Sequence, residues 1–160
     1  MIHVQPAGRL HTGGMADILN DIIDQGGTTA YTSHVTGEYL QSRIDTGNRA
    51  VWHVAEDNGG LVLGFQWIEA SEALPPEAAE IATFTRIGHT GLGIGSALFH
   101  ATTKAARELG YGWINANIRA DNAGGLAYYQ SRGFEDYSRI DGITLPDGTI
   151  VSKVLKRFDL

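Results

Sequence analysis

IATFTRIGHTGLGIGSALFHATTKAAREL, residues Ile81–Leu109, joins an apolar strand through a glycine-rich turn to an amphipathic helix. Apolar residues recur at three- and four-residue spacing from Leu98 to Leu109, and Gly110 is a typical left-handed residue after a helix end. In the turn Gly91–Ser96, glycines allow several backbone N–H groups to converge where the helix begins. Because unpaired amides and the positive end of the helix dipole coincide there, the stretch predicts an anion-binding site.

The glycine turn does not fit two well-known phosphate loops. A Walker loop needs a lysine after its last glycine, but the frame Gly88-xxxx-Gly93 is followed by Ile94. The dinucleotide pattern GxGxxG fails because Gly91-x-Gly93 would require glycine at position 96, which is Ser96. The sequence therefore argues against a nucleoside triphosphate and against the dinucleotide-binding fingerprint.

The same turn resembles motif A of the GNAT superfamily of acyl-CoA N-acyltransferases, whose Q/R-x-x-G-x-G/A loop holds the CoA pyrophosphate. Gly93, Gly95, Ser96 and Leu98 fall where that motif would put them. The Gln/Arg position departs from the motif, because it holds Thr90. The resemblance implies that this loss could weaken CoA binding without removing the backbone amides.

A second match begins at Asn122, in the stretch NAGGLAYYQSRGF. In the GNAT superfamily, an Asn at a strand end is followed by a short helix with Tyr seven residues on, and by Gly-Phe four and five residues further. Tyr129 and Gly133-Phe134 match that spacing, so the resemblance covers about Ile81–Phe134. Upstream, Gly27–Tyr31 after an apolar helix looks like the phosphinothricin-acetyltransferase-like branch of the superfamily.

Composition limits the remaining function classes. The chain has 160 residues, with 12 Lys+Arg against 18 Asp+Glu and a formal net charge of -6. This length predicts a single domain over residues 1–160, and the acidic balance argues against a nucleic-acid partner. Without cysteine there is no thiolate nucleophile, and the scattered histidines lack the HxH and HxxxH spacings, so no metal is expected. Neither a membrane-span run nor a signal pattern is present, which predicts a cytoplasmic protein with no membrane partner.

Periodicity outside the motifs predicts a mixed α/β (α+β) sheet in the order β-α-α-β-β-β-α-β-α-β-β, which is also the order that a GNAT fold implies. Asp57–Gly60 is predicted to be a hairpin turn, and Thr36 a helix cap. Besides the central strand and helix, the predicted strands are Ile2–Val4, Ala50–Ala55, Leu61–Glu69, Trp113–Arg119, Glu135–Leu145 and Thr149–Phe158, and the predicted helices are Met15–Ile23, Thr36–Ile44 and a short one containing Tyr129.

The resemblance implies an acetyl-CoA-dependent N-acetyltransferase that moves an acetyl group to a primary amine of a small molecule, directly and within a ternary complex. The absence of cysteine excludes a cysteinyl acyl-enzyme. Two alternatives stay open: a protein N-terminal or lysine acetyltransferase, and a non-catalytic CoA-binding sensor or interaction module. The acceptor amine is not identified by the sequence, and the oligomeric state is open, with a homodimer as one alternative.

The resemblance also implies how the acetyl donor is held. Backbone amides of the glycine turn would bind its pyrophosphate, while the backbone of the central strand would pair with the pantetheine arm, which requires the sheet to open beside that strand. Asn122 would hydrogen-bond the pantetheine amides, cap the short helix, or do both. The predicted donor-binding residues are Thr83, Phe84, Thr85, Thr90, Gly91, Leu92, Gly93, Ile94, Gly95, Ser96 and Asn122.

Two residues are predicted to move protons. Tyr129 is the candidate acid that would protonate the leaving thiolate, although a tyrosine next to Tyr128 could serve packing alone. Glu80, at the start of the central strand, is the candidate base, with Glu77 and His89 in reserve. A carboxylate before a strand is usually a solvated surface group, which is the alternative reading of Glu80.

Overall fold

A seven-stranded mixed sheet runs through the computed structural model, which describes residues 1–160. Its strands lie in the order β1-β2-β3-β4-β5-β7-β6, and four helices complete the fold. The element order and the mixed fold class predicted from sequence are both confirmed. The strands are β1 His3–Pro6, β2 Val51–Glu56, β3 Val62–Glu69, β4 Ala78–Thr85, β5 Trp113–Arg119, β6 Glu135–Thr144 and β7 Ile150–Asp159, and the helices are α1 Thr12–Gln25, α2 Gly37–Thr46, α3 Ile94–Glu108 and α4 Ala123–Ser131.

The centre of the sheet splits between β4 and β5. These two strands are the one parallel pair, and their pairing ends where Ile81 meets Ala116. Beyond that point β4 continues to pair with β3 as far as Thr85, and β5 continues with β7 as far as Arg119. The backbone of β4 from residue 82 to residue 85 therefore has no strand beside it on the β5 side. This is the opening that a strand-like contact with a ligand requires.

Helices cover both faces of the sheet. One face packs against α1 and α2 in an aromatic-rich core that includes Phe65 and Phe84, whose ring centroids lie 5.0 Å apart. The opposite face packs against α3 and α4. Since strand side chains alternate between faces, Glu80 shares the α1 face with Phe84, whereas Thr83 lies on the α3 and α4 face.

Local signals explain the helix ends. The side chain of Thr36 accepts a hydrogen bond from the backbone N–H of Tyr39 at 3.0 Å, so the predicted cap of α2 is confirmed. Gly110 has φ +83° after α3, as expected for a left-handed residue at a helix end. The predicted hairpin turn is also confirmed, because Asp57 accepts hydrogen bonds from Gly59 and Leu61 at 2.9 Å between β2 and β3.

Among the elements around the central motif, β4 and α3 begin earlier than the sequence pattern suggested. β4 begins at Ala78 rather than at Ile81, because Ala78 pairs with Trp113 of β5 and is buried there. α3 begins at Ile94, inside the predicted glycine turn. Glu80 is therefore the third residue of a central strand instead of a residue at its start.

The hairpin of β6 and β7 forms one edge of the sheet. Nearly every residue of β6 is exposed, and its pairing with β7 is interrupted by register shifts between Asp136 and Ser138 and between Ile140 and Ile143. The opposite edge is the four-residue strand β1. None of the helices has the length and apolarity to cross a membrane.

Candidate active site

The gap between β4 and β5 opens into a cavity of about 1060 Å³. Its walls come from the loop after α1, the end of β4, the glycine turn, the first turn of α3, the end of β5 and α4. Leu92 does not line the cavity, and its side chain is 62% exposed. The other predicted site residues line it: Glu80, Thr83, Phe84, Thr85, Thr90, Gly91, Gly93, Ile94, Gly95, Ser96, Asn122 and Tyr129.

The glycine turn presents free backbone donors to this cavity. Gly91 and Gly93 have φ +79° and φ +83°, and a Cβ added at either would meet no atom within 4 Å. Gly93 is the N-cap of α3, yet no side chain caps the helix and its first turn holds no acidic residue. Because the first N–H groups of a helix have no partner inside it, these donors are available to an anion.

Gly95 has a different reason to be small. A Cβ at this position would lie 2.5 Å from the ring of Tyr128, and the Tyr128 hydroxyl donates a hydrogen bond to the Gly95 carbonyl at 2.8 Å. The first turn of α3 is therefore packed directly against α4. Nothing in the sequence signals this contact between residues 33 positions apart.

Arg132 is a site residue that the sequence reasoning missed. It follows α4, lines the cavity, and donates from Nη1 to the Ser96 hydroxyl at 2.7 Å. Its Nε is buried without a hydrogen-bond partner. Arg132 thus brings a guanidinium to the turn in which the Gln/Arg position holds Thr90. Its place just before Gly133-Phe134 is the only signal that the sequence offered.

Tyr129 is buried, with 7% of its surface exposed. Its hydroxyl lies 2.8 Å from the Thr83 hydroxyl, and its ring packs edge-on against Tyr128 and Phe134. Burial raises the pKa of the Tyr129 phenol well above the ordinary value of 10.0, and the hydrogen bond with Thr83 offsets part of this shift. Tyr129 therefore contributes to core packing and also keeps its phenolic proton at the cavity wall.

Glu80 lies on the other face of β4. Its carboxylate accepts a hydrogen bond from Asn115 Nδ2 at 3.0 Å, and Asn115 in turn accepts one from the hydroxyl of Tyr137. Burial raises the pKa of Glu80 to about 7, although the Asn115 hydrogen bond and the charge of Lys153 act in the opposite direction. A carboxylate with this pKa can take up or release a proton near neutral pH.

The reserve residues are placed differently from Glu80. Glu77 does not line the cavity, and its backbone carbonyl accepts hydrogen bonds from Gly112 and Trp113. His89 lines the cavity beside the glycine turn, where its ring lies 3.4 Å from the Ile87 carbonyl. No group of three or more His, Asp or Glu side chains is arranged to hold a metal ion.

Asn122 ties the cavity wall together. Its Oδ1 accepts from the Gly125 N–H at 2.9 Å, which confirms its role as the cap of α4, and its Nδ2 donates to the Thr28 carbonyl at 3.2 Å. Arg119, which is paired with Asp121 at 2.8 Å, donates to the neighbouring Thr29 carbonyl at 3.2 Å. The connection between α1 and α2 is therefore fixed to the end of β5 and to α4.

A second polar network borders the α1 side of the cavity, where Tyr31 and Trp67 form part of the lining. Arg43 donates to Glu69 at 2.6 Å and to the Tyr31 hydroxyl at 3.2 Å, and its guanidinium lies 5.1 Å from the Trp67 ring centroid. Burial raises the pKa of Tyr31 to about 12. These contacts hold an aromatic wall on the face of the sheet that carries Glu80.

Known sequences match most of the chain. The pattern of the Acetyltransferase (GNAT) family matches residues 17–134. A relative from Bacillus subtilis (strain 168), provisionally named phosphinothricin acetyltransferase YwnH, is 29% identical over 147 residues, which cover 89% of this chain and 85% of that protein.

Solved structures match the whole fold. The phosphinothricin acetyltransferase (Pat) of Sinorhizobium meliloti, crystallised in complex with AcCoA, has a TM-score of 0.89 and 19% identity, with 99% of this chain and 88% of that chain covered. The ribosomal-protein-alanine N-acetyltransferase of Brucella melitensis has a TM-score of 0.86 and 21% identity, with 99% of each chain covered. At these identities the likeness establishes the fold.

Proposed function

The chain belongs to the acetyltransferase (GNAT) family, and on that premise we propose that it uses acetyl-CoA to acetylate a primary amine of a small molecule by direct transfer. One observation carries the proposal. Beside the split between β4 and β5, Glu80 and Tyr129 both line the cavity, but from opposite faces of β4. A candidate base and a candidate acid therefore flank a single opening.

The residues present fit an anionic acyl carrier. The uncapped start of α3 would hold the pyrophosphate, and the charge of Arg132 would support it at the turn that has Thr90 in place of Gln or Arg. The unpaired side of β4 from Thr83 to Thr85 would hold the extended arm by backbone hydrogen bonds, and Asn122 would contribute its remaining amide hydrogen. When bound, acetyl-CoA supplies an acetyl thioester as the electrophile.

Glu80 would act as the base on the α1 face of the sheet. An amine is protonated near neutral pH and must lose a proton before it can attack, and a carboxylate with a pKa of about 7 can accept that proton directly or through one water. Asn115 orients the carboxylate by its hydrogen bond to Oε2, and Tyr137 in turn holds Asn115.

Tyr129 would act as the acid on the opposite face. The raised pKa of its phenol keeps the hydroxyl protonated at neutral pH, so that it would be able to donate its hydrogen to the sulfur on which negative charge develops as the C–S bond breaks. With no cysteine in the chain, no cysteinyl acyl-enzyme can form, which supports the proposal that the acetyl group passes directly to the amine.

The walls on the Glu80 side favour a small acceptor. The connection between α1 and α2 is tied down by Asn122 and Arg119, and the Tyr31–Arg43–Glu69 network stiffens the aromatic wall. These hydrogen bonds favour a fixed wall, which suits a small acceptor better than a polypeptide that would need the wall to move.

The test is release of free thiol from acetyl-CoA by the purified protein with a panel of acceptors. Small primary amines, including amino acids and their analogues, are compared with short peptides that have free N-termini or lysines. We expect turnover with a member of the first group. Turnover with peptides alone would replace the proposal by a protein acetyltransferase, and CoA binding without thiol release by any acceptor would favour a sensor.

A further inference from the structure

A glutamine buried behind the cavity wall contacts two hydroxyl groups on the α3 and α4 face, one from β4 and one from α4. Gln66 of β3 is completely buried and does not line the cavity. Its Nε2 lies 2.9 Å from the Thr83 hydroxyl and 3.1 Å from the Tyr128 hydroxyl, whereas its Oε1 has no hydrogen-bond partner. A buried polar side chain in a central strand is costly unless its hydrogen bonds serve the structure or the chemistry.

The direction of these hydrogen bonds follows from one backbone carbonyl. The carbonyl of Gly95 can only accept a hydrogen bond, so the Tyr128 hydroxyl donates its single hydrogen to this carbonyl, at 2.8 Å. The Tyr128 oxygen can then only accept from Gln66, which must present its amide nitrogen and not its oxygen. If the Gln66 amide were reversed, its NH2 group would have no hydrogen-bond partner. Its oxygen and the Gly95 carbonyl would then both need the single hydroxyl hydrogen of Tyr128.

The same reasoning reaches Tyr129. The amide nitrogen that faces Tyr128 also faces Thr83, so the Thr83 oxygen accepts from Gln66 and its own hydrogen is free. The nearest hydroxyl for that hydrogen is Tyr129, 2.8 Å away. If Thr83 donates to Tyr129, the hydrogen of Tyr129 is not engaged by the protein and can point into the cavity.

We propose that Gln66 is a positioning residue that, through Thr83, fixes the direction of the hydrogen bond to Tyr129 so that the phenol donates toward the cavity. The proposal rests on the proposed role of Tyr129 as the acid. It also gives the contact between the glycine turn and α4 a chemical consequence, because the Gly95 carbonyl is the fixed end of the chain Gly95–Tyr128–Gln66–Thr83–Tyr129.

The direct test is spectroscopic and requires no turnover. The C–O stretching band of Tyr129, isolated as the infrared difference between the ligand-free wild type and Tyr129→Phe, falls in frequency when the phenol oxygen accepts a hydrogen bond and rises when the hydroxyl donates one. We expect the wild-type band of an acceptor and a shift toward donor character in Gln66→Met, which keeps the side-chain volume without the amide. A wild-type band typical of a donor, or no shift in Gln66→Met, would overturn the proposal.

The kinetic test is a double-mutant cycle. Gln66→Met should lower kcat by about 3- to 10-fold, the size expected for one hydrogen bond, with the KM for acetyl-CoA within about 2-fold of wild type. In the Tyr129→Phe background it should cause no further loss, because Gln66 acts through the missing hydroxyl. An equal loss in both backgrounds would assign Gln66 a merely structural role and refute the proposal.

Two further sets of variants guard against misfolding. Gln41→Met removes another buried glutamine, on α2 and outside the cavity, and should leave kcat unchanged. Thr83→Val should lower kcat as much as Gln66→Met does. Thr83→Ser keeps the hydroxyl and should therefore retain the wild-type kcat. If Tyr129→Phe itself turns over at the wild-type rate, the proposed acid is wrong, while the infrared result still decides the direction of the hydrogen bonds.

Discussion

The two faces of β4 build their halves of the candidate site in different ways. On the α3 and α4 face most of the parts come from two short stretches of sequence, Gly91–Ser96 and Asn122–Phe134, and the candidate phosphate site consists mainly of backbone N–H groups. On the α1 face the candidate base Glu80 is held by Asn115, which Tyr137 holds in turn, and the three residues come from three different strands. A site built from backbone N–H groups can be recognised in one short stretch of sequence, because glycines reveal it. A site built from side chains on several strands can be recognised only when the strand register is known.

The largest expected effect on CoA binding is on the backbone side. Gly93→Asp should weaken CoA binding by at least about 100-fold, because it places a negative charge at the positive end of α3 and a Cβ at a left-handed residue. Isothermal titration with CoA measures the loss. Gly93→Asn carries the strain without the charge and should bind more tightly than Gly93→Asp. Gly110→Asp, also at φ +83° but at the other end of α3, should bind normally. Normal CoA binding by folded Gly93→Asp would place the phosphate site elsewhere.

Tyr129→Phe separates CoA binding from proton transfer on the α3 and α4 face. The change deletes only the hydroxyl, so turnover should fall by about 10²–10⁴-fold while CoA affinity stays nearly constant. Rapid-quench measurement of the transfer step is needed, because slow product release could hide the loss. Transfer at wild-type speed, with an amine that is already neutral at high pH, would contradict the assignment.

Glu80→Gln tests the side-chain half of the site. Only the ionised carboxylate can accept a proton, so wild-type kcat/KM should rise as the pH passes through about 7, in line with the raised pKa. The variant should lose this rise and be about 100-fold slower at neutral pH. An acceptor amine of low pKa, which needs no base, should recover most of the rate. Glu77→Gln, at a carboxylate outside the cavity, should retain the wild-type profile. If Glu77→Gln loses the rise and Glu80→Gln keeps it, the base assignment is wrong.

Glu80→Gln should also change the pH dependence of thermal stability in a predictable direction. Because the pKa of Glu80 is raised from an ordinary 4.5 to about 7, its contribution to stability is fully present below pH 4.5 and is lost as the pH rises through 7. Glu80→Gln should therefore melt at a higher temperature than wild type above pH 7, and this advantage should disappear near pH 4. Melting curves across this range measure the pKa shift independently of activity.

Arg132→Met gives the smallest expected effect. It removes one charge from the glycine turn and leaves the backbone donors, so the Kd for CoA should rise by about 10-fold with a weaker salt dependence. At saturating acetyl-CoA the kcat should be unchanged. Arg139→Met, at an exposed ion pair on β6, is the matched control. An unchanged Kd in Arg132→Met would show that the backbone turn alone compensates for Thr90.

The sequence predicted the elements better than their contacts. β5 was predicted with its observed bounds, Trp113–Arg119, because alternation is clear and Gly112 precedes it. The start of β4 was missed because Ala78 and Ala79 have little strand preference of their own, and pairing with β5 decides their conformation. The predicted site residues line the cavity with the exception of Leu92, while their roles, the cytoplasmic location and the oligomeric state stay predictions.

Contacts between distant residues account for what the sequence could not show. The raised pKa of Glu80 arises from burial, which no local pattern indicates for a carboxylate near the start of a strand. The close approach of Tyr128 to Gly95 joins two motifs that appear independent in the sequence. Both features require the sheet register and the docking of α4, which are tertiary properties.

The long outer strand β6 bears on how the protein behaves at high concentration. A ten-residue edge strand with free N–H and C=O groups is a template for intermolecular β-pairing, the first step toward aggregates. Here the two register shifts break the edge into short pieces, and charged residues are spread along its length: Glu135, Asp136, Arg139 and Asp141. Colloidal stability of this protein therefore depends on surface positions outside the cavity lining, and replacing those charges by threonine or valine should promote precipitation before it affects catalysis.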